Sequence, residues 1–349
     1  MNTLSLPENK IASWSKLRSE ISSMHASDAV YPRQIEGLQG ALYSFFLAEY
    51  ARSSKKDMVI IAPSEKDVQE IAVDLRTFNV NKEILILPWW GTVPYRSVAK
   101  GSVVFGERAC VLAKLAESAF FEGADSDTGK NDAGDGRIFI IPQRSFQTPV
   151  PDPAYERKLI FKIKKGVDFD PIKLSERLVG QGYIRVPRVT VRGEFTLRGE
   201  VLDIFMPGEE TAHRIVFDFD TIEQIRTFDP MTQSTKDSLD SLIIYPMKEI
   251  LWTDELVEAL EPRLEPFLKP VRGQDSTGEL AVTDEDAFRQ AGEQLIAELL
   301  ENHEAEGEVL YYPLVFEKTY TILDYLRKDI PVFYMDYDRM ANSQESFDR

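Results

Sequence analysis

Apolar residues recur along the chain with two different periods, and the switches between them outline its organisation. Residues 37–52 space their apolar groups at helical intervals, and Met58–Ala62 is a short β-rich run. Ser64 is placed to cap a following helix whose Val68, Ile71, Ala72, Leu75 and Phe78 share one face. Glu83–Leu87, Val103–Ala116 and Arg137–Ile141 repeat the order strand, helix, strand. The opening region therefore reads as a mostly parallel sheet covered by helices. Between the last two elements, residues 123–136 are rich in Gly, Asp, Ser and Asn, the composition of a solvated loop.

Thr148-Pro-Val-Pro-Asp-Pro153 suits neither a helix nor a central strand, because proline fixes φ and removes a donor, so a domain boundary is placed there. Asp170 and Pro171 then start a predicted helix that Gly180 and Gly182 end. From Val189 the period becomes two. Val189, Val191, Phe195, Leu197 and Val201 fall on odd numbers, while Arg188, Arg192, Glu194, Arg198 and Glu200 fall on even ones. That is a half-exposed strand or a bulged pair of strands. Further β-rich runs at residues 214–219, 222–228 and 242–245 complete a small antiparallel sheet with one helix packed on it.

Helical spacing returns after Trp252. Thr253 and Asp254 are available to cap residues 256–268, and Thr283 with Asp286 resembles a capping box before residues 288–300. Residues 309–316 read as a strand, 319–326 as a helix and 332–335 as a strand. The expected fold class is α/β with three segments: an α/β domain over 1–153, an inserted β-rich domain over 154–248, and an α/β region over 249–349 that completes the first.

Charge narrows the function. The 349 residues carry a formal net charge of −17, which opposes tight non-specific attraction to nucleic acid. The balance is uneven, however: residues 157–198 hold eleven Lys or Arg against four acids, and residues 273–308 hold eleven Asp or Glu against one Arg. The acidic run is read first as a wet helix face and second as a contact for a basic surface. No run reaches the apolar length of a membrane-spanning helix, and no secretory signal core opens the chain, so a cytoplasmic protein is expected. Cys110 lies in a helical pattern and reads as a buried thiol. His25, His213 and His303 have no metal-ligand spacing, so neither metal nor cofactor is expected.

Gly37-Leu-Gln-Gly-Ala-Leu-Tyr-Ser-Phe45 has the outline of a phosphate-binding loop before a helix. Such a loop wraps phosphates with backbone N–H groups, meets them with a Lys and holds magnesium through Ser or Thr. Here Leu42 and Tyr43 stand where Gly and Lys are needed, leaving Gly37, Gly40 and Ser44. The loop reads as degenerate, or simply as a turn before a helix. Either way no ATP hydrolysis is expected.

The run Gly182-Tyr-Ile-Arg-Val-Pro-Arg-Val-Thr-Val-Arg-Gly-Glu-Phe-Thr-Leu-Arg-Gly-Glu-Val-Leu-Asp-Ile-Phe205 resembles a stretch shared by UvrB and the transcription-repair coupling factors. The likeness continues through residues 214–230, Gln233-Ser234 and Tyr245-Pro-Met-Lys-Glu249, with Leu87-Pro-Trp-Trp-Gly-Thr-Val-Pro-Tyr95 upstream. UvrB has an intact phosphate loop and a tyrosine-rich hairpin. This chain has Leu42 and Tyr43 in the loop and only a short connection around residues 94–100, which favours the amino-terminal, UvrB-like module of the coupling factors. The resemblance implies a split helicase-type α/β domain that has lost nucleotide binding and an inserted β-rich domain that docks UvrA. It implies further that the intact protein engages RNA polymerase and double-stranded DNA and brings excision repair to stalled transcription. A UvrB-like DNA-dependent ATPase or helicase subunit is the alternative. Carried over by position, the UvrA contacts are Arg185, Arg192 and Arg198, with Phe205 as an apolar neighbour. The plainer reading makes Arg192, Glu194, Arg198 and Glu200 a salt-bridged solvated strand face, each pair contributing at most about 1 kcal/mol.

Overall fold

The computed structural model describes residues 2–5, 12–26, 28–90, 103–120, 136–267, 285–305 and 308–347. The expected loop at 123–135, the connection at 94–100 and the capping residue Thr283 fall outside these.

Strand β1 (Asn2–Ser5), helix α1 (Ala12–Met24), strand β2 (Arg33–Glu36) and helix α2 (Ala41–Ser53) come first. They are followed by β3 (Met58–Ala62), α3 (Glu65–Thr77), β4 (Glu83–Ile86), α4 (Val103–Phe120) and β5 (Arg137–Pro142). Short helices α5 (Gln143–Gln147) and α6 (Pro153–Leu159) precede β6 (Phe161–Lys164) and α7 (Pro171–Gly180). A run of strands ensues: β7 (Ile184–Arg185), β8 (Glu194–Arg198), β9 (Val201–Ile204), β10 (Ala212–Asp218), β11 (Thr221–Phe228), β12 (Thr235–Leu239) and β13 (Ser241–Ile244). Helices α8 (Asp254–Leu264) and α9 (Glu285–Asn302), strand β14 (Val332–Tyr334) and helix α10 (Tyr337–Phe347) complete the described elements.

These elements gather into two compact units. The first takes the described residues up to Trp89, 136–146 and 326–347; the second takes Trp90, 103–120 and the described part of 147–325. In the first unit a parallel sheet runs in the order β14-β3-β5-β4. The inner strand β3 is buried at every position, as a parallel strand covered on both faces must be, and this explains its unbroken apolar sequence. Helix α3 is amphipathic: Val68, Ile71, Ala72 and Leu75 face the core, and the Ser64 side chain accepts from the Asp67 N–H at its start.

The second unit holds a six-stranded sheet in the order β12-β11-β10-β9-β8-β7, with β7 parallel to β8 and every other pair antiparallel. Strands β6 and β13 form a separate antiparallel pair. The single small sheet expected from the sequence is thus two. Helix α7 starts as predicted, with Asp170 accepting from the N–H groups of Ile172 and Lys173 and Pro171 in the first turn. Its Leu174 and Leu178 pack beneath the large sheet with Phe195, Leu202, Ile204, Ile215 and Ile225.

Two expectations are corrected. Helix α4, read as a cover for the parallel sheet, belongs to the second unit, where Cys110 and Ala113 join the core beneath the six strands. A helix buried nearly all round carries no stripe saying which core it serves. Residues 309–316 and 319–326 are neither strand nor helix but short 3-10 turns at Glu308–Leu310, Tyr312–Val315 and Ile322–Tyr325. Pro313 lacks a ladder donor, the Tyr312 hydroxyl donates inward to Glu249 Oε2 at 3.0 Å, and Asp324 accepts from the Thr321 N–H at 2.8 Å to start the last turn.

The same unit buries a polar cluster. Glu249 accepts from Trp90 Nε1 at 2.8 Å and Tyr312, and its Oε1 lies 2.8 Å from Arg108 Nε, an ion pair in which that N–H is not aimed at the oxygen. The Arg108 guanidinium stacks 4.5 Å from the centre of the Trp90 ring. Glu156, fully buried, has no hydrogen-bond partner on either carboxyl oxygen, and desolvation, then the nearby Glu249 charge, push its pKa well up, against the pull of Arg108.

Candidate partner-docking face

Side chains alternate across the large sheet, so its register decides which arginines share a face. In β8, Phe195 points into the core while Thr196 and Arg198 point away. Gly199, at φ 59°, makes the turn to β9, and Arg198 pairs with Val201. Past that turn the inward residues become Leu202 and Ile204, so the odd-numbered apolar pattern ends at Leu197 and Val201 is on the outer face.

The register then lines up Thr196, Asp203, Arg214 and Arg226 on four adjacent strands of that outer face. Asp203 is the buried member. Arg214 donates to it with a fork, Nε to Oδ1 at 2.7 Å and Nη2 to Oδ2 at 2.8 Å, and Arg198 Nη2 lies 3.6 Å from Oδ2. These hydrogen bonds hold the Arg214 proton and push its pKa up against desolvation. Arg214 also lies over the Phe228 ring at 4.7 Å. One carboxylate therefore serves two guanidiniums, and Arg226 adds a third, exposed cation. The face keeps a positive surplus, with the Arg198 side chain 57% exposed.

The four residues carried over by resemblance occupy unlike places. Arg198 lies on this face. Arg185 is exposed on the edge strand β7, donating weakly to the Leu197 carbonyl at 3.5 Å. Arg192 is half-buried in the connection before β8, with Nε donating to the Glu209 carbonyl at 2.7 Å and its guanidinium over Phe205 at 5.7 Å. Phe205 is only 6% exposed, packed with Val189, Ala212 and Phe228. It is a support beneath Arg192 and not an open contact, because a ring this large loses hydration cost by joining the small core there. Arg214 and Arg226 escaped the sequence reading, since only register brings them onto the face that holds Arg198. The salt-bridged row of neighbours along one strand is not what forms: Glu194 Oε2 instead accepts from the Thr190 and Val191 N–H groups at 2.8 and 2.9 Å.

In the first unit, the Gly37–Ser44 segment bends at Gly37 (φ 82°) and Gly40 (φ 54°), and Gly40 precedes α2 without a side-chain cap. The N–H groups of Leu42 and Tyr43 are engaged by the carbonyls of Gln39 and Gly40 at 3.2 and 3.1 Å. Ser44 is buried and its hydroxyl donates to Asp74 Oδ2 at 2.6 Å. The Tyr43 hydroxyl is buried without a partner, and desolvation pushes its pKa up. The groups that would meet phosphate and magnesium are thus turned to internal contacts.

Residues 161–250 match the family model of the UvrB interaction domain. The transcription-repair-coupling factor of Myxococcus xanthus is 29% identical over 323 residues, covering 88% of this chain and 24% of that protein. That of Borreliella burgdorferi is 29% identical over 234 residues, 66% of this chain and 19% of the relative. That of Staphylococcus epidermidis is 24% identical over 338 residues, 94% of this chain and 26% of the relative. The chain spans about a fifth to a quarter of the length of these curated relatives. Residues 161–250 thus form a domain of the UvrB-interaction type, in a chain that resembles the transcription-repair-coupling factors over most of its own length.

Proposed function

We propose that this chain is a non-catalytic adaptor of transcription-coupled nucleotide excision repair, docking UvrA through the outer face of its six-stranded sheet. The observation that carries this is the surplus of guanidinium groups there: Arg198 and Arg214 share the one buried carboxylate of Asp203, and Arg226 lies exposed on the next strand beyond Arg214, on a chain whose net charge is −17. Arginine forks match carboxylates geometrically, and a cationic patch on an acidic protein selects an acidic partner. Arg192 extends the patch, with Phe205 holding it in place, while Arg185, paired with the inward-facing Phe195, is on the other side of the edge strand. By analogy with its relatives, the chain acts as the amino-terminal module of a longer cytoplasmic protein that meets RNA polymerase and double-stranded DNA.

Calorimetric titration of UvrA into the chain tests the docking. Arg198→Ala and Arg226→Ala are expected to weaken binding and reduce its salt dependence without changing the circular dichroism spectrum. Unaltered affinity in both variants would remove this face from the interface.

The second reading is a UvrB-like ATPase, favoured by the outline of Gly37 to Ser44. The inward bonds of Ser44 and the bulk of Leu42 and Tyr43 weigh against it. A titration with magnesium-ATP is expected to show no saturable binding; micromolar affinity would restore the enzyme reading.

A further inference from the structure

Beyond the arginines, the same face ends in a turn of unusual order. Between β11 and β12, Asp229 Oδ1 accepts from the N–H groups of Met231 and Thr232, both at 2.9 Å, while the Asp229 carbonyl accepts from the Gln233 N–H at 2.7 Å. The Asp229 N–H closes onto the Ser234 carbonyl at 3.0 Å, and Gln233, at φ 62°, donates from its side chain to the Pro230 carbonyl at 2.8 Å. The hydrogen bonds from Thr232 and Met231 also hold the Asp229 carboxyl below its ordinary pKa, so it accepts throughout the neutral range. Every element of this scaffold serves to fix a turn whose apical side chain, Met231, is 76% exposed.

The turn is tied directly to the cationic face. Arg214 Nη2, while gripping Asp203, donates to Gln233 Oε1 at 3.3 Å, and Arg188 Nη2 donates to the Met231 carbonyl at 3.3 Å. An exposed thioether on a pinned backbone, flanked by two guanidiniums, has the anatomy of a binding anchor: an apolar group already ordered, bordered by charges that select the partner. Met is well suited because its unbranched side chain adapts to an irregular hollow. We propose that Met231 is the apolar anchor of the docking face, seating in an apolar hollow of an acidic protein surface. This rests on the docking reading above, and the partner is the acidic surface invoked there. The occupant is argued from charge: a hollow rimmed by carboxylates complements the exposed Arg188 and Arg226, Arg214 being already matched by Asp203, whereas a basic surface would meet like charge.

The test compares the wild-type chain with Met231→Ala, Met231→Leu and Arg198→Ala, each titrated with UvrA at low and high salt. Met231→Ala is expected to weaken binding about tenfold, the effect of withdrawing one well-buried apolar side chain, with the salt dependence unchanged. Met231→Leu keeps the apolar volume and should restore most of the affinity, while Arg198→Ala should weaken binding chiefly at low salt. Because Met231 is exposed in the free chain, all variants should fold alike. If the wild type binds and Arg198→Ala weakens it while Met231→Ala binds normally, the anchor is overturned and the docking reading stands. If Met231→Ala changes only self-association of the chain, the anchor serves a second copy and the proposal fails. A wild-type chain that does not bind UvrA overturns both.

Discussion

Asp203 offers the sharpest test of how the arginine face is built. Its carboxylate is 2% exposed and receives two charge-assisted hydrogen bonds from Arg214 at 2.7 and 2.8 Å. Bonds of this kind contribute about 1.5–3 kcal/mol each. The Arg214 side chain remains 24% exposed, so it recovers part of its hydration when its partner is removed. Asp203→Ala should therefore lower local stability by about 2–4 kcal/mol, less than the full sum. Arg214→Met keeps an apolar stem over Phe228 but leaves the buried carboxylate with only the longer contact to Arg198 at 3.6 Å, and a similar loss is expected. Removing both charges at once leaves no buried charge unpaired, Arg198 being 57% exposed, so the double variant should be about 2 kcal/mol better than additivity predicts. Two compact units give no guarantee of a single melting transition, so the quantity to follow is native-state hydrogen exchange of the β9 and β10 amides. Additivity within about 0.5 kcal/mol would show that the fork is incidental and that packing alone orders this face.

The other predictions concern stability. Arg192→Ala should destabilise by about 1 kcal/mol through loss of its bond to the Glu209 carbonyl and its stacking on Phe205, whereas exposed Arg198→Ala should be nearly neutral; equal melting of both variants would contradict the placement of Arg192. Glu156 has its pKa raised from 4.5 by burial, so the folded state favours the protonated acid and stability falls as pH rises through and above that value. Glu156→Gln mimics the neutral form, and its advantage over wild type in urea denaturation should grow from pH 5 to pH 8; a constant difference would sink this account. Phe219 is 81% exposed with φ 54°, so Phe219→Gly relieves left-handed strain while losing little packing and should raise stability by about 0.5–1 kcal/mol, read from the urea midpoint; a loss would mean the ring is holding something.

The local signals that were legible in the sequence are those whose cause is local. Ser64 caps α3 and Asp170 caps α7 because a side-chain oxygen reaches an N–H two or three residues ahead, and β3 reads as a buried strand because every residue in it is apolar. The likeness to the coupling factors was legible for the same reason, being carried by the unbroken run from Gly182 to Phe205. Strand β12 was missed because Thr235–Leu239 is a polar edge strand with no apolar alternation to betray it, its Lys and Asp shielding the open edge. What tertiary structure alone decided is which distant residues meet. A two-residue turn after Arg198 reversed the inward parity, and strand register set Arg214 beside Asp203 and Arg226 beside Arg214. The burial of Phe205 followed from its neighbours Val189, Ala212 and Phe228, and α4, which buries charged as well as apolar residues around its circumference, found its core by contacts that no single apolar stripe specifies. Period and capping are written in one stretch of chain, whereas register and the choice of core depend on surfaces that exist only after separate stretches have packed.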